Sequence, residues 1–397
     1  MAEISGVPTA DIDNVDGFFT TQGGGGITPN AMPAAGVNGT TLVGGATIPT
    51  NPIVTAPFNI STTTSHTFTK IQVRNDRDNA IIALKADGTL WYNIGTGVPF
   101  SSWAVTDSTW RQYGLDTDWT DIAAGNAVFT AVKGGALLFN GNGGFYQRGD
   151  GFATSTTSWI VTNNTLTWAQ TSLGYYNAMS LTTSGEVYCC GYNWNYQTGQ
   201  GTTAGSTLTY TREQLNITGA TFIQCGAYNS NRIIASGNIY VTGGNNQNLA
   251  GPLITVTGDI NGPLLSYNGG DVVFVSPATY FNVFAINTSG QLMFAGSTSN
   301  YARPDNSTTQ QKGALGMGII DGGATGYTFY GTTQVTSSTT SPCLAIKNGQ
   351  LLMGGGSFSY KIKEALGSPA NTTTWVNVGS TGITAAAGGQ QVIITSW

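Results

Sequence analysis

Charge is scarce in this sequence. Only 8% of its 397 residues are Asp, Glu, Lys or Arg, with 14 basic against 19 acidic side chains and a net charge of -5. Binding nucleic acid without sequence preference needs clustered Lys and Arg to displace counterions. The densest basic stretch is Lys70, Arg74 and Arg77, and Asp76 and Asp78 interrupt it, so no direct nucleic-acid contact is expected. Histidine is reduced to His66, which argues against a Ser-His-Asp arrangement. The four cysteines, Cys189, Cys190, Cys225 and Cys343, form no C-x-x-C pair, so no metal site of the zinc type is expected. The calcium-loop pattern D-x-[DN]-x-[DN]-G with a trailing Glu is missing too. The close carboxylate pairs, Asp11 with Asp13, Asp76 with Asp78 and Asp116 with Asp118, read as loop or opening-segment charges rather than a glycosidase pair. No catalytic residue, cofactor or enzyme activity is therefore expected. Apolar runs long enough to span a bilayer are lacking, and the opening has no basic region followed by an apolar run, so neither membrane insertion nor a leader is expected.

Glycine, Thr, Ser and Asn fill the chain instead. There are 56 Gly, and hydrophobic residues make up 40% of the total. That mixture suits short strands joined by tight turns, and it suits helices poorly. It is also too apolar for a solvated disordered chain.

Repeats carry the main signal. Residues 81–93, IIALKADGTLWYN, read as two strands about an Asp87-Gly88 turn, since both residues tolerate the backbone of a tight hairpin. The shape returns as FTAVKGGALLFN, MSLTTSGEVYCCG, RIIASGNIYVTG, FAINTSGQLMFAG and CLAIKNGQLLMG. The structural turn glycines are Gly88, Gly135, Gly185, Gly237, Gly290 and Gly349, separated by 47 to 59 residues. An aromatic marker precedes several hairpins: Trp119 in WTDIAAG, Trp168 in WAQTSLG, Phe222 in FIQCGA and Trp375 in WVNVGS. It reads as the strand before the hairpin, with the aromatic between neighbouring units and the glycine close to a common axis.

This pattern resembles the RCC1 repeat family. The match is closest at Trp119, Ile122, Ala123, Ala124 and Gly125, and at Ala83, Leu84, Asp87, Gly88, Leu90 and Trp91. The end motif G-x-N-x-x-G-Q-x-G is echoed by Gly191, Asn193, Gly199, Gln200 and Gly201. The resemblance implies an all-β, RCC1-like β-propeller, with seven blades expected. The tail stops short of a last hairpin turn. Residues 36–50, with NGTTLVGG at Asn38 to Gly45, are expected to complete that blade by pairing N-terminal strands with the C-terminal one. Kelch-type propellers share the period and are the nearest alternative. The domain reading is residues 1–35 as an N-terminal docking arm with a glycine-rich joint, and 36–397 as the propeller, its clear repeats covering 65–397. Among RCC1-like proteins are a chromatin-binding nucleotide-exchange factor and an enzyme inhibitor, but the resemblance transfers only a scaffold that binds protein.

A second resemblance lies at the opening. ISGVPTADIDNVDG is similar to the short start of several structural proteins of tailed phages, carried by Ile4, Ser5, Gly6, Val7, Asp11, Ile12, Val15 and Gly17. It implies a bacteriophage virion protein made in the host cytoplasm and extracellular after lysis. Ile4, Val7, Ile12, Val15 and Phe18 would form a virion docking arm, with capsid or tail proteins as partners. The leading functional expectation is therefore a non-enzymatic virion structural or decoration protein. An alternative is a receptor-binding protein of a tail tip or fibre, using Tyr301, Arg303, Asp305, Tyr327 and Tyr330 as a ligand-facing loop for a host surface glycan or protein. A further alternative is a propeller adaptor unrelated to virions. A similar Tyr-Asn cluster lies at Tyr192 to Tyr196.

Overall fold

The computed structural model describes residues 68–73, 80–93, 110–163, 165–200, 208–226, 230–244, 260–276, 282–296, 317–332, 342–355, 372–377, 385–388 and 393–396. They form six four-stranded antiparallel sheets and one two-stranded sheet. The first sheet holds β1 (Phe68–Val73), β2 (Ile81–Lys85), β3 (Leu90–Asn93) and β4 (Arg111–Gln112). The second holds β5 (Trp119–Ala124), β6 (Val128–Lys133), β7 (Ala136–Gly141) and β8 (Thr156–Asn163). The third holds β9 (Trp168–Leu173), β10 (Asn177–Thr182), β11 (Val187–Tyr192) and β12 (Leu208–Gln214). The fourth is built of β13 (Ala220–Gln224), β14 (Ser230–Ala235), β15 (Asn238–Gly243) and β16 (Ile260–Tyr267). The fifth has β17 (Val272–Val275), β18 (Asn282–Asn287), β19 (Leu292–Gly296) and β20 (Gly318–Ile319). The sixth has β21 (Tyr327–Thr332), β22 (Pro342–Lys347), β23 (Gln350–Gly355) and β24 (Thr372–Asn377), and β25 (Ala385–Gly388) pairs with β26 (Ile393–Ser396) alone.

Neighbouring sheets meet through their first strands, β1 with β5, β5 with β9, β9 with β13 and β13 with β17. These strands therefore line the inside of the ring, and the fourth strands lie outside. β25 touches β1 on one side and β21 on the other, which places the short sheet between the first and the sixth.

Seven complete blades is an expectation the structure corrects. Among the described residues six sheets are complete, and the last has two strands. The reason lies at Trp375. Its segment reads as an incoming first strand, but Val376 pairs with Met353, making β24 the outer strand of the sixth sheet. The first strand of the last sheet is the apolar run Ala385–Gly388. Residues 36–50, and all of the expected docking arm, lie outside the described residues.

Burial follows position in the ring. β10 and β14 are buried along their whole length because a sheet lies against each of their faces. Outer β8 is half-exposed to exposed throughout. Apolar side chains fill the gaps between sheets. Ile82, Leu84 and Leu90 of the first meet Trp119, Ile122 and Phe129 of the second. Phe284, Ile286 and Phe294 of the fifth meet Tyr327 and Ala345 of the sixth. Burying one such side chain contributes about 1.5–3 kcal/mol.

Polar links add register. Lys70 on β1 binds Asp121 on β5 at 2.6 Å, and the other Asp121 oxygen accepts the Thr171 amide of β9 at 2.8 Å. Gln170 clamps Ile223 on β13 through both its amide and its carbonyl, at 3.0 and 3.1 Å.

The hairpin turns lock each sheet to the next. Gly88, Gly135, Gly185, Gly237 and Gly290 present carbonyls that accept the amides of Trp119, Trp168, Ala220, Val272 and Tyr327, at 2.9–3.1 Å. Each turn glycine, Gly349 included, has φ between +70° and +84°. At Gly88 a Cβ would lie 2.0 Å from the Thr117 carbonyl oxygen, and at Gly237 2.2 Å from that of Gly270. These positions thus need glycine both for conformation and for close approach.

Candidate protein-interaction face

An antiparallel four-stranded sheet puts alternate connections at opposite ends. One end of the ring, the turn face, carries the central hairpin turns and the links into each following sheet. The other, the loop face, carries the first-to-second and third-to-fourth connections.

Two long loops dominate the described part of the loop face. Residues 141–151 read GNGGFYQRGDG and leave β7, while residues 191–201 read GYNWNYQTGQG and leave β11. Through residue 200 they follow one course. Tyr146 and Tyr196 both adopt left-handed backbone, with φ of +58° and +55°. The Tyr146 amide donates to Gly143 O at 2.9 Å and Tyr196 to Asn193 O at 3.1 Å. Such a conformation persists only where the surroundings hold it. The glutamines do so. Gln147 Nε2 donates to Tyr175 O in the third sheet at 3.1 Å. Gln197 O accepts Asn231 Nδ2 at 2.7 Å and Thr242 Oγ1 at 2.8 Å in the fourth.

Two arginines brace the first loop from below. Arg148, largely buried, pairs with Asp150 at 2.6 Å and donates to both oxygens of Thr154. Arg212 on β12 donates to Ser180 Oγ at 2.6 Å and to the Arg148 carbonyl at 2.9 Å, and it packs over the Trp168 ring. Gly149 lies so close beneath that a Cβ there would sit 2.7 Å from Cys190 Sγ. Burial pushes the Cys190 thiol up and the Cys225 thiol to about 12. Both stay protonated and are unsuited to nucleophilic chemistry. Burial also pushes the Arg232 guanidinium down to about 9.

Over this braced base lies an aromatic cluster. Phe145 stacks on Tyr176 with ring centroids 3.9 Å apart. Tyr176 also meets Tyr175 at 4.4 Å and Tyr192 at 5.8 Å. Phe145, Tyr176 and Tyr192 are half-buried, as are Trp194 and Tyr196 further along the loop. Phe152, 63% exposed, projects from the same connection, with the Arg148 guanidinium 5.8 Å from its ring.

Of the expected ligand-facing residues, Tyr327 and Tyr330 are among the described residues. Tyr301, Arg303 and Asp305, like Ile4, Val7, Ile12, Val15 and Phe18, lie outside the described residues. Tyr327 sits buried on β21, and its hydroxyl donates to Asp321 at 2.8 Å. Tyr330 lies on the same strand. Asp116 and Asp118 flank Lys133 on the turn face at 3.4 and 3.5 Å. Among the described residues no three His, Cys, Asp or Glu side chains gather in a metal-ligand arrangement. Phe145 and Tyr176 were missed, although Gln147-x-Gly149 repeats Gln197-x-Gly199 at a 50-residue spacing.

With a ring of antiparallel sheets and glycine-locked turns, the fold is an RCC1-like β-propeller. The family described as the regulator of chromosome condensation (RCC1) repeat matches residues 168–197. Human WBSCR16 has a similar structure, with a TM-score of 0.64 at 15% identity, covering 84% of this chain and 87% of that one. Prp20p from Saccharomyces cerevisiae gives a TM-score of 0.63 at 15% identity, covering 80% of each chain. Yeast RCC1 (Prp20) bound to Kap60 gives 0.63 at 14% identity, covering 80% and 77%. At such identities the likeness is one of fold. No curated protein matches the chain in sequence.

These findings overturn the tailed-phage reading. Similarity runs to RCC1 repeats and to propellers of human and yeast proteins, not to a virion component. The structural, decoration and receptor-binding roles, the capsid, tail and host-glycan partners, and the virion and post-lysis extracellular location are withdrawn with it. The opening motif that suggested them rested on eight residues between Ile4 and Gly17, in a segment outside the described residues, too little to outweigh a repeat running through the chain.

Proposed function

We propose that the chain is a non-enzymatic scaffold that binds other proteins through the loop face of its propeller. The observation carrying this reading is the half-exposed aromatic cluster Phe145, Tyr176 and Tyr192, held on loops whose backbone is fixed by Gln147, Gln197 and Arg212. Aromatic residues are enriched in protein interfaces, and rigid display lowers the ordering cost of association. Proteins of the same fold support it. Yeast RCC1 (Prp20) is seen bound to Kap60, and Prp20p is described with binding properties toward Gsp1p and histones. Buried thiols with raised pKa and the braced, carbonyl-bound Arg212 suit structural roles rather than catalysis.

A photo-reactive phenylalanine analogue at Phe152 tests the reading, with the same analogue at Leu115 on the turn face, 91% exposed, as control. Irradiation in the source cells should yield a discrete protein adduct from position 152 and little from 115. Equal yields at both, or adducts from 115 alone, would refute the assignment of the loop face.

A further inference from the structure

We propose that Asn142 is a self-modifying site, where the chain converts its own side-chain amide to a carboxylate by deamidation. In this chemistry the backbone nitrogen after an asparagine attacks the side-chain carbon. Glycine in that position leaves the approach open because it has no Cβ. Five Asn-Gly pairs lie among the described residues, beginning at Asn140, Asn142, Asn261, Asn268 and Asn348. Asn140 is buried on β7, and Asn261 is held within β16. Asn348 has a φ of +51° in the turn closed by the Lys347–Gln350 pair. Asn142 and Asn268 are exposed, and each opens an Asn-Gly-Gly tripeptide.

The same three residues meet different surroundings. At Asn142 the Gly144 amide donates to Oδ1 at 2.8 Å. That oxygen gains charge when the side-chain carbon is attacked, so a donor fixed there acts as an oxyanion hole does. Ser155 Oγ accepts the Gly143 N–H at 3.4 Å and lies 3.5 Å from Asn142 Oδ1. It can therefore take the Gly143 proton while handing its own to the oxyanion. The bond from Gly143 N to Asn142 Cγ forms and the bond from Cγ to Nδ2 breaks, with Nδ2 leaving as ammonia on the proton of the new hydroxyl. Water then opens the cyclic imide to aspartate or isoaspartate at that position. At Asn268 the corresponding amide, that of Gly270, is committed elsewhere, to Asn238 Oδ1 at 2.9 Å. Loss of ammonia makes the change one-way, and it places a negative charge on the loop that carries Phe145.

The test is peptide mapping by mass spectrometry on the whole folded chain, incubated in mildly alkaline buffer and sampled over time. The amide-to-acid mass gain should accumulate about tenfold faster at Asn142 than at Asn268. In denaturing urea the two tripeptides should react at similar rates. Ser155→Ala should slow Asn142 severalfold while Asn268 and the thermal midpoint stay put. Equal rates at the two sites in the folded chain, a faster Asn268, an Asn142 advantage undiminished in urea, or an unchanged Asn142 rate in Ser155→Ala would each overturn the inference.

Discussion

The two faces of the ring are built from one repeat by different means. On the turn face, backbone bonds to backbone. The carbonyl of each turn glycine from Gly88 to Gly290 receives the first amide of the next sheet. On the loop face, side chains hold the backbone, those of Gln147, Arg148 and Arg212, and that of Asn231 on the Gln197 carbonyl. A backbone lock demands little more of the sequence than glycine, so it recurs from sheet to sheet. A side-chain brace can differ between sheets, so that face is free to specialise. Framework and recognition are thereby separated to opposite ends of the same strands.

The contrast can be broken most forcibly at a turn. Gly237→Ala places a Cβ against the Gly270 carbonyl at a φ of +71°. It should cost about 3 kcal/mol, seen as a lower urea midpoint, with the loop-face partner still bound by the folded fraction. Next comes Asp121→Ala, which leaves the Thr171 amide buried without its acceptor and Lys70, itself partly exposed, without its counter-charge. A loss of about 2 kcal/mol is expected, and Asp121→Asn, which keeps an acceptor, should recover part of it in the same unfolding assay.

Loosening the loop brace should do less to stability and more to the loop. Arg212→Met removes the bonds to Ser180 and Arg148 and should cost about 1 kcal/mol. Cys190, under Gly149, should then be alkylated about tenfold faster through local opening. The smallest effect at neutral pH is at Cys225. Burial holds its thiol protonated in the fold to about 12, against the ordinary 9.0. Because the folded pKa is raised, the stabilisation is complete below pH 9 and is lost as pH climbs from 9 toward 12. Relative to Cys225→Ala, the unfolding free energy of the parent chain should hold steady up to about pH 8 and fall beyond pH 9, followed by denaturant titration at each pH.

What the sequence revealed depended on range. The hairpins from β2–β3 to β22–β23 were legible because Asp-Gly, Gly-Gly, Ser-Gly and Asn-Gly turns are local chemistry. Trp119 and Trp168 marked first strands because each leads straight into its hairpin. Trp375 misled because an outer strand can also carry an aromatic followed by an apolar residue, here Trp375 and Val376, and only its pairing with β23 shows its place. The Phe145–Tyr176 stack joins residues from different sheets, and no local pattern announces it. Tyr327 resembles a surface aromatic, lying near glycines and Asp321, yet it faces the core of the fifth and sixth sheets with its hydroxyl paired to the carboxylate.

Hydrogen–deuterium exchange on the chain alone and on its cross-linked complex would test the division of labour most directly. Residues 142–154, 174–176 and 193–200 should gain protection in the complex, while turn residues such as Gly88, Gly185 and Gly237 exchange as before. Protection that appears at the turns and spares those three loop-face segments would contradict it.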